Sequence, residues 1–592
     1  MFMKSSNLAP ELLGQIFSHL EYDLNTLYSC LLVSRIWCKS TVPLLYKQPF
    51  HLCPTYNHKK LINLYLPWLS KESLTLLGLH KKIIERKSIF KYPYYIRHLN
   101  FFEVYEASWT LWHDEYSNNN DDLEDNFNKF KLNLLNRSNE DQNLDKEEEI
   151  LVSLCDYDDD DDSEDDYEDH DTIYDETADE SYPSHYILNK RIIAMTHELF
   201  KLFMENCPYI DGLNLSTIDL EFYHGLYFKE YLSLPLLPSA FKCLSRLQKF
   251  VCGGNFYKKS IINSMIKYCH NLNEIEIIFN PDYDESTDWA PLIQAQKKLE
   301  NLTFSLVDYG IAEIFKSLEI HFDTLTSLEF NSCSFNDCCP FKALYDFTNL
   351  KSLIFLYCGD LTYDDENEII SGHNRLFYTY PFPTLKKLQF DYSYPNETQL
   401  LRMISGEDTE SLYCNLEEII LNFENSIHPD VIECIAEDCI NLKRIDLTEN
   451  GNDNSHFESL FPIFKNCNKL QSLHVRRGYR IASIRDKRPD PGVILEKIAE
   501  IMPFSMKELS IVVECAFTTY DVGIFLKKCL INLKYLSLRC IGSKNEIKKV
   551  LKEYAFRNNV KIIECNFNKV GMRNDMRISS IEKVFDFIVR FA

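Results

Sequence analysis

No stretch of this sequence reaches the roughly 18 consecutive apolar residues that crossing a bilayer takes, so no membrane partner is expected. The opening run, Met1 to Ser6, has no apolar core of the kind a secretory signal carries. A cytoplasmic and/or nuclear location follows as the expectation. The 20 cysteines include no CxxC pair, which points to reduced thiols used as small core residues. Cys333, Cys338 and Cys339 cluster, but adjacent cysteines are awkward zinc ligands, and no metal is expected. There is no glycine-rich phosphate loop, no HExxH and no GxSxG. The 16 histidines are scattered. No catalytic residue and no cofactor is therefore expected: the chain reads as a non-enzyme.

The charge is also unevenly spread. Of the net −26, the window Asp114 to Glu180 holds −24, with 28 Asp and Glu against four Lys and Arg. The rest of the chain carries 59 Lys and Arg against 61 Asp and Glu. That nearly neutral body lacks the clustered basic face of a nucleic-acid binder, so no nucleic acid is expected.

What the sequence does have is repetition. In Leu272-Asn-Glu-Ile275-Glu-Ile277 aliphatics stand at positions one, four and six. The pattern returns at Leu299/Leu302/Phe304, Leu325/Leu328/Phe330, Leu350/Leu353/Phe355, Leu385/Leu388/Phe390 and Leu416/Ile419/Leu421. It continues at Leu442/Ile445/Leu447, Leu470/Leu473/Val475, Met506/Leu509/Ile511 and Leu533/Leu536/Leu538. Looser copies stand at Ile96/Leu99/Phe101, Ile210/Leu213/Leu215, Leu247/Phe250/Cys252 and Val560/Ile563/Cys565. From Ile210 onward the spacings are 37, 25, 27, 26, 25, 35, 31, 26, 28, 36, 27 and 27 residues. Periods in the mid-twenties belong to repeats of one strand plus one helix, and the last two aliphatics alternate with polar residues as a half-buried strand requires. The pattern resembles the cysteine-containing leucine-rich repeats, with Cys269, Cys439 and Cys467 closing the helix before the next strand.

One such repeat cannot fold alone. Burying three large aliphatics gains about 5–9 kcal/mol, whereas ordering some 25 residues costs on the order of 25–50 kcal/mol. Stacking on neighbours must supply the rest. The expected fold class is α/β: a leucine-rich-repeat solenoid, parallel strands inside and helices outside, over 184–570, with a first repeat-like segment at 92–113.

The start of the chain carries a second pattern. Leu8-Ala-Pro10-Glu11-Leu12-Leu13-Gly-Gln-Ile16-Phe17-Ser-His-Leu20 places apolar residues at helical spacing, with Pro10 suited to a first turn. Second and third helices fit Leu24 to Val33 and Ile36 to Tyr46, with a break at Pro43. The unit, residues 7–48, resembles the F-box, in its opening, in Val33-Ser34-Arg35-Ile-Trp37 and in Pro43-Leu-Leu-Tyr46. An F-box followed by leucine-rich repeats resembles the substrate receptors of SCF-type cullin–RING ubiquitin ligases. The resemblance implies a Skp-type adaptor as partner, and through it the cullin–RING ligase. It implies adaptor contacts from Leu8, Pro10, Glu11, Leu12, Ile16, Phe17, Leu20, Leu31 and Trp37, and an unknown target protein on the repeats. Two other readings stay open: an amphipathic helical cap of the solenoid, and a repeat scaffold working outside a ubiquitin ligase.

Residues 49–91 read as a helical connector. The acidic insert, 114–183, cannot bury apolar surface and repels itself, so disorder is expected. It reads as a solvated loop or as an electrostatic tail. A long helix fits Ile187 to Asn206. The tail, 571–592, reads as a capping helix with Ile581, Val584, Phe585 and Ile588 on one face.

Strand residues that alternate with the buried aliphatics should line the concave face. Among these, Arg444, His474, Arg476, Tyr535 and Arg539, with the basic loop after Arg476, form the candidate target site. Arg suits bidentate contacts to carboxylate or phosphate, so an acidic or phosphorylated target segment is expected. The chain's own acidic insert is the rival occupant.

Overall fold

The computed structural model describes residues 9–20, 23–79, 89–116, 182–218, 239–254, 259–280, 286–336, 344, 346–361, 382, 384–395, 397–404, 415–423, 427–449, 457–477, 491–512, 517–569 and 584–591. Leu8, the basic loop at 478–490 and nearly all of the acidic insert lie outside them. The chain divides into two compact units, Met1–Leu299 and Glu300–Ala592.

The first unit begins with α1 (Pro10–Ser18), α2 (Leu24–Leu31) and α3 (Arg35–Leu45). Local chemistry sets their starts. Pro10 occupies the first turn of α1, where its missing N–H costs nothing. The Asp23 and Ser34 side chains accept from the Thr26 and Trp37 amides at the heads of α2 and α3, satisfying donors a helix start leaves orphaned. Leu13, Phe17, Leu27, Cys30 and Leu45 form the core. The expected break at Pro43 does not occur: α3 runs through it. Pro43 lies in the last turn, where few rungs remain to lose, and its buried neighbours Val42 and Leu45 hold that turn in place.

After a helical connector, β1 (His98–Asn100), β2 (Gly212–Asn214), β3 (Lys249–Gly253) and β4 (Glu274–Ile278) follow. β1, β2, β3 and β4 pair in sequence, all parallel, with Leu99 opposite Leu213, Leu213 opposite Phe250 and Phe250 opposite Ile275. The fourth position of the repeat phrase is thus stacked on itself. In the first repeat the sixth position departs from expectation, because Phe101 opens a helix, Phe101–Tyr116, instead of ending the strand. That helix packs on Tyr182–Asn206, with the Phe101 and Phe200 rings 5.9 Å apart and Thr196 Oγ1 donating to Ser108 Oγ at 3.3 Å. The acidic insert is therefore spliced into the helical part of one repeat.

The three-helix head joins this sheet by hydrogen bonds. Within the repeats, the residue before each strand accepts at its carbonyl from the next repeat: Asp211 N and Gly212 N donate to Arg97 O. One step earlier, Arg97 N and His98 N donate to Lys47 O at 2.8 and 3.1 Å. Lys47, just past α3, occupies the place of a preceding repeat.

The second unit carries β5 (Asn301–Ser305), β6 (Ser327–Asn331), β7 (Ser352–Leu356), β8 (Lys387–Asp391), β9 (Glu418–Phe423), β10 (Arg444–Glu449), β11 (Ser472–Arg477), β12 (Glu508–Val512), β13 (Phe517–Thr518) and β14 (Tyr535–Ile541). From β5 to β12, and from β12 to β14, neighbours are parallel and in one register. Leu302, Leu328, Leu353, Leu388, Ile419, Ile445, Leu473, Leu509 and Leu536 form one buried row. Stacked rings form the next: Phe304–Phe330, Phe330–Phe355 and Phe355–Phe390, with centroids 5.8, 5.4 and 5.1 Å apart. Cys269 and Cys467 donate Sγ–H to the carbonyls of Leu244 and Cys439, one repeat back. Burial pushes both thiols up to about 12. They are small buried donors, as the sequence suggested.

The end of the second unit differs from expectation. The tail is a strand, β16 (Val584–Phe591), not a capping helix. It runs antiparallel between β14 and β15 (Ile562–Lys569), so the Val560/Ile563/Cys565 copy is set off from β14 by one strand. The segment Val-Phe-Asp-Phe-Ile-Val-Arg-Phe is rich in aromatic and β-branched residues, which suit a strand flanked on both sides better than a surface helix. The helical spacing of its apolar residues misled because the segment is apolar at both periods.

Candidate functional site

Two surfaces stand out, one in each unit. On the three-helix head, Leu12, Ile16, Leu32, Val33 and Ile36 are all exposed, Leu32 at 88%. Leu12 and Ile16 lie one turn apart on α1. Leu32 and Val33 close α2, and Ile36 opens α3. Tyr28 is exposed in the same unit. Large apolar side chains left outside a small helical unit mark an interaction surface or an aggregation liability.

The residues that the F-box resemblance singled out divide three ways. Pro10, Glu11, Leu12 and Ile16 are exposed. Phe17 is not: it is 2% exposed and sits in the core. Trp37, Leu20 and Leu31 are partly buried against that core, and the Trp37 ring meets Phe17 edge-on at 5.0 Å. These four hold the unit together. Leu32, Val33 and Ile36 take their place outside. The run Leu31-Leu32-Val33 carried the signal, since three consecutive large apolar residues cannot share one buried helix face.

On the second unit, the strand residues that point away from the helices build the other surface. β10 and β11 set Asp446 opposite His474 and Thr448 opposite Arg476. Arg476 is exposed. The Tyr535 ring stacks on His474 with centroids 5.9 Å apart and planes at 20°. Four of the five expected residues therefore share one face. Arg539 departs: only 3% of it is exposed, and the neighbouring strand β16 sets Asp586 opposite it in register.

This face is not plainly basic. Arg444 lies 3.7 Å from Glu418 and 3.8 Å from Asp446. His474 lies 3.8 Å from Asp446 and 3.8 Å from Glu508, which also accepts from Ser472 Oγ at 3.0 Å. Burial pushes Asp446 above the usual carboxylate range and His474 below the usual imidazole value. His474 Nε2 is buried without a hydrogen-bond partner. Glu418 and Glu508 are first residues of their strands, the place that Arg444 and Tyr535 hold in theirs. Arg444 and Arg476 are the exposed arginines of the set, and the charge of each acts on Asp446.

Among the described residues no group of His, Cys, Asp and Glu could hold a metal ion, and no helix is long and apolar enough to cross a membrane.

No family model matches the sequence, and no curated protein matches it. Among solved structures, the crystal structure of a TLR13–ssRNA13 complex is similar, with a TM-score of 0.33 and 17% identity over 56% of this chain and 40% of that one. The chain spans about two fifths of that protein's length.

Proposed function

We propose that this chain is the target-recognising subunit of an SCF-type ubiquitin ligase, its three-helix head docking a Skp-type adaptor and its repeats holding a target protein. The leucine-rich-repeat fold is that of a protein-interaction scaffold. The observation that carries the finer reading is that Leu12, Ile16, Leu32, Val33 and Ile36 are all left exposed on a unit whose sequence resembles the F-box. Covering five such side chains gains about 8–15 kcal/mol gross, the scale of the roughly 4–15 kcal/mol that association costs. A partner must therefore cover most of the five. In this reading the chain does no chemistry; it brings a target to enzymes held by others.

A second reading rests on the Lys47 rung. The head closes the open edge of β1, which is also the job of a cap on a repeat scaffold working outside a ligase. Capture of a purified Skp-type adaptor separates the two. Wild type is expected to retain it, and Leu12→Ser with Leu32→Ser to lose at least tenfold in affinity without a change in melting temperature. A wild-type chain that captures no adaptor leaves the cap reading in place.

A further inference from the structure

In the second unit, the residues just before the strands form a rim. There the same carbonyl ladder runs from repeat to repeat: Lys386 N donates to Lys351 O, Glu417 N to Lys386 O and Lys443 N to Glu417 O, at 2.8, 2.7 and 2.8 Å. The side chains stand in a row on adjacent rungs. Behind them lies an open groove of about 400 Å³, lined by Lys351, Lys386, Glu417, Lys443 and Lys469 with Thr384, Asn415 and Asn441.

We propose that this groove binds a short acidic segment of a partner protein. The groove carries four lysines and one glutamate, in a chain whose net charge is −26. That glutamate already shows what the groove takes. Lys386 and Lys443 reach Glu417 from either side, at 3.0 and 2.5 Å, one to each carboxylate oxygen. A carboxylate between two rungs is thus a fitted guest. Among the described residues Lys469 is engaged by the neutral Asn441, donating to its Oδ1 at 2.7 Å. Lys351 has no acidic partner among the described residues. Two cations therefore remain to meet further carboxylates, and both are exposed. The backbone ladder fixes where the lysine stems start, so only the flexible ends must be ordered on binding.

The spacing sets the length of the guest. Adjacent strands lie about 4.8 Å apart, so the three steps from Lys351 to Lys443 cover about 14 Å. An extended chain advances about 3.3 Å per residue, so four to five residues, mostly Asp or Glu, span the row. The segment lies across the strands, not along them. Compared with the open face around His474, where acids offset each base, the rim is the better place for an acidic target. This deepens the target-holding half of the proposed function, and it stands or falls without the adaptor.

The test uses the full chain and a fluorescein-labelled hexaglutamate peptide, read by anisotropy at low salt. Binding is expected to wild type and to be weakened at least tenfold by raising salt to 0.3 M, where screening lengths fall below about 6 Å. Lys351→Glu with Lys469→Glu should abolish it, with melting temperature and adaptor capture unchanged. Lys507→Glu with Lys534→Glu, on the same rim beyond the groove, should leave it intact. A hexaserine peptide should not bind. The proposal is overturned if wild type does not bind hexaglutamate, if the groove variant binds as well as wild type, or if both rim variants lose binding equally. Loss of adaptor capture with peptide binding intact would instead sink the ligase reading alone.

Discussion

Phe17 and Leu32 are both large apolar residues of the three-helix head, and opposite outcomes are expected of them. Phe17 fills a core of five side chains, so Phe17→Ala should cost about 3–5 kcal/mol. Loss of the head's helical signal in a denaturant titration would measure it. Leu32 touches solvent over most of its surface, so Leu32→Ser should move stability by under about 0.5 kcal/mol while weakening adaptor capture. His474 is the other residue whose surroundings decide its behaviour. Burial lowers its pKa below the ordinary 6.5, so at neutral pH it is uncharged beside two carboxylates. A folded value depressed below the unfolded one means the folded state resists protonation; stability is full above pH 6.5 and falls as pH drops through that value. Asp446, pushed up by burial, acts in the other sense, since acid relieves the cost of its buried charge. An NMR titration should place the His474 midpoint below 6.5, and His474→Gln should make stability less sensitive to acid. A midpoint above 6.5 would mean the two acids outweigh burial.

Among the elements, the strand ladder was legible in the sequence and the tail was not. Each repeat phrase fixes its strand because the four and six positions must enter the core together, and a one-residue slip would turn both outward. That constraint is local, so Leu328, Leu353 and Leu388 could be placed without knowing their neighbours. β16 depends on partners that come before it in the chain, and nothing in Val584–Phe591 names β14. The head fell between these cases. Helical spacing identified α1, but which of Ile16 and Phe17 turns inward depends on how α3 crosses it. For the tail, Val589 is fully buried and lies opposite Leu536. Val589→Asp should cost more than about 3 kcal/mol, since it buries an uncompensated charge, and should expose the β14 edge. Size-exclusion chromatography is expected to show self-association. A monomeric variant with wild-type stability would show that β16 is dispensable.

At the scale of the whole molecule, each unit puts its own surface forward: apolar on the head, charged and polar on the rim and strand face of the second unit. The acidic insert enters within the first repeat, between two packed helices, so its removal should leave the strand ladder intact. A chain with residues 120–178 replaced by a short Gly-Ser linker is expected to keep its melting temperature within a few degrees. Adaptor capture by that shortened chain should also be unchanged.

The carbonyl of Lys47 makes the head the zeroth rung of the first unit's ladder. A domain strung on a loose tether would swing, and whatever gripped it would feel slack. Here the grip on α1 passes through two backbone hydrogen bonds into β1 as leverage, so anything that turns the head pulls on the first strand with it.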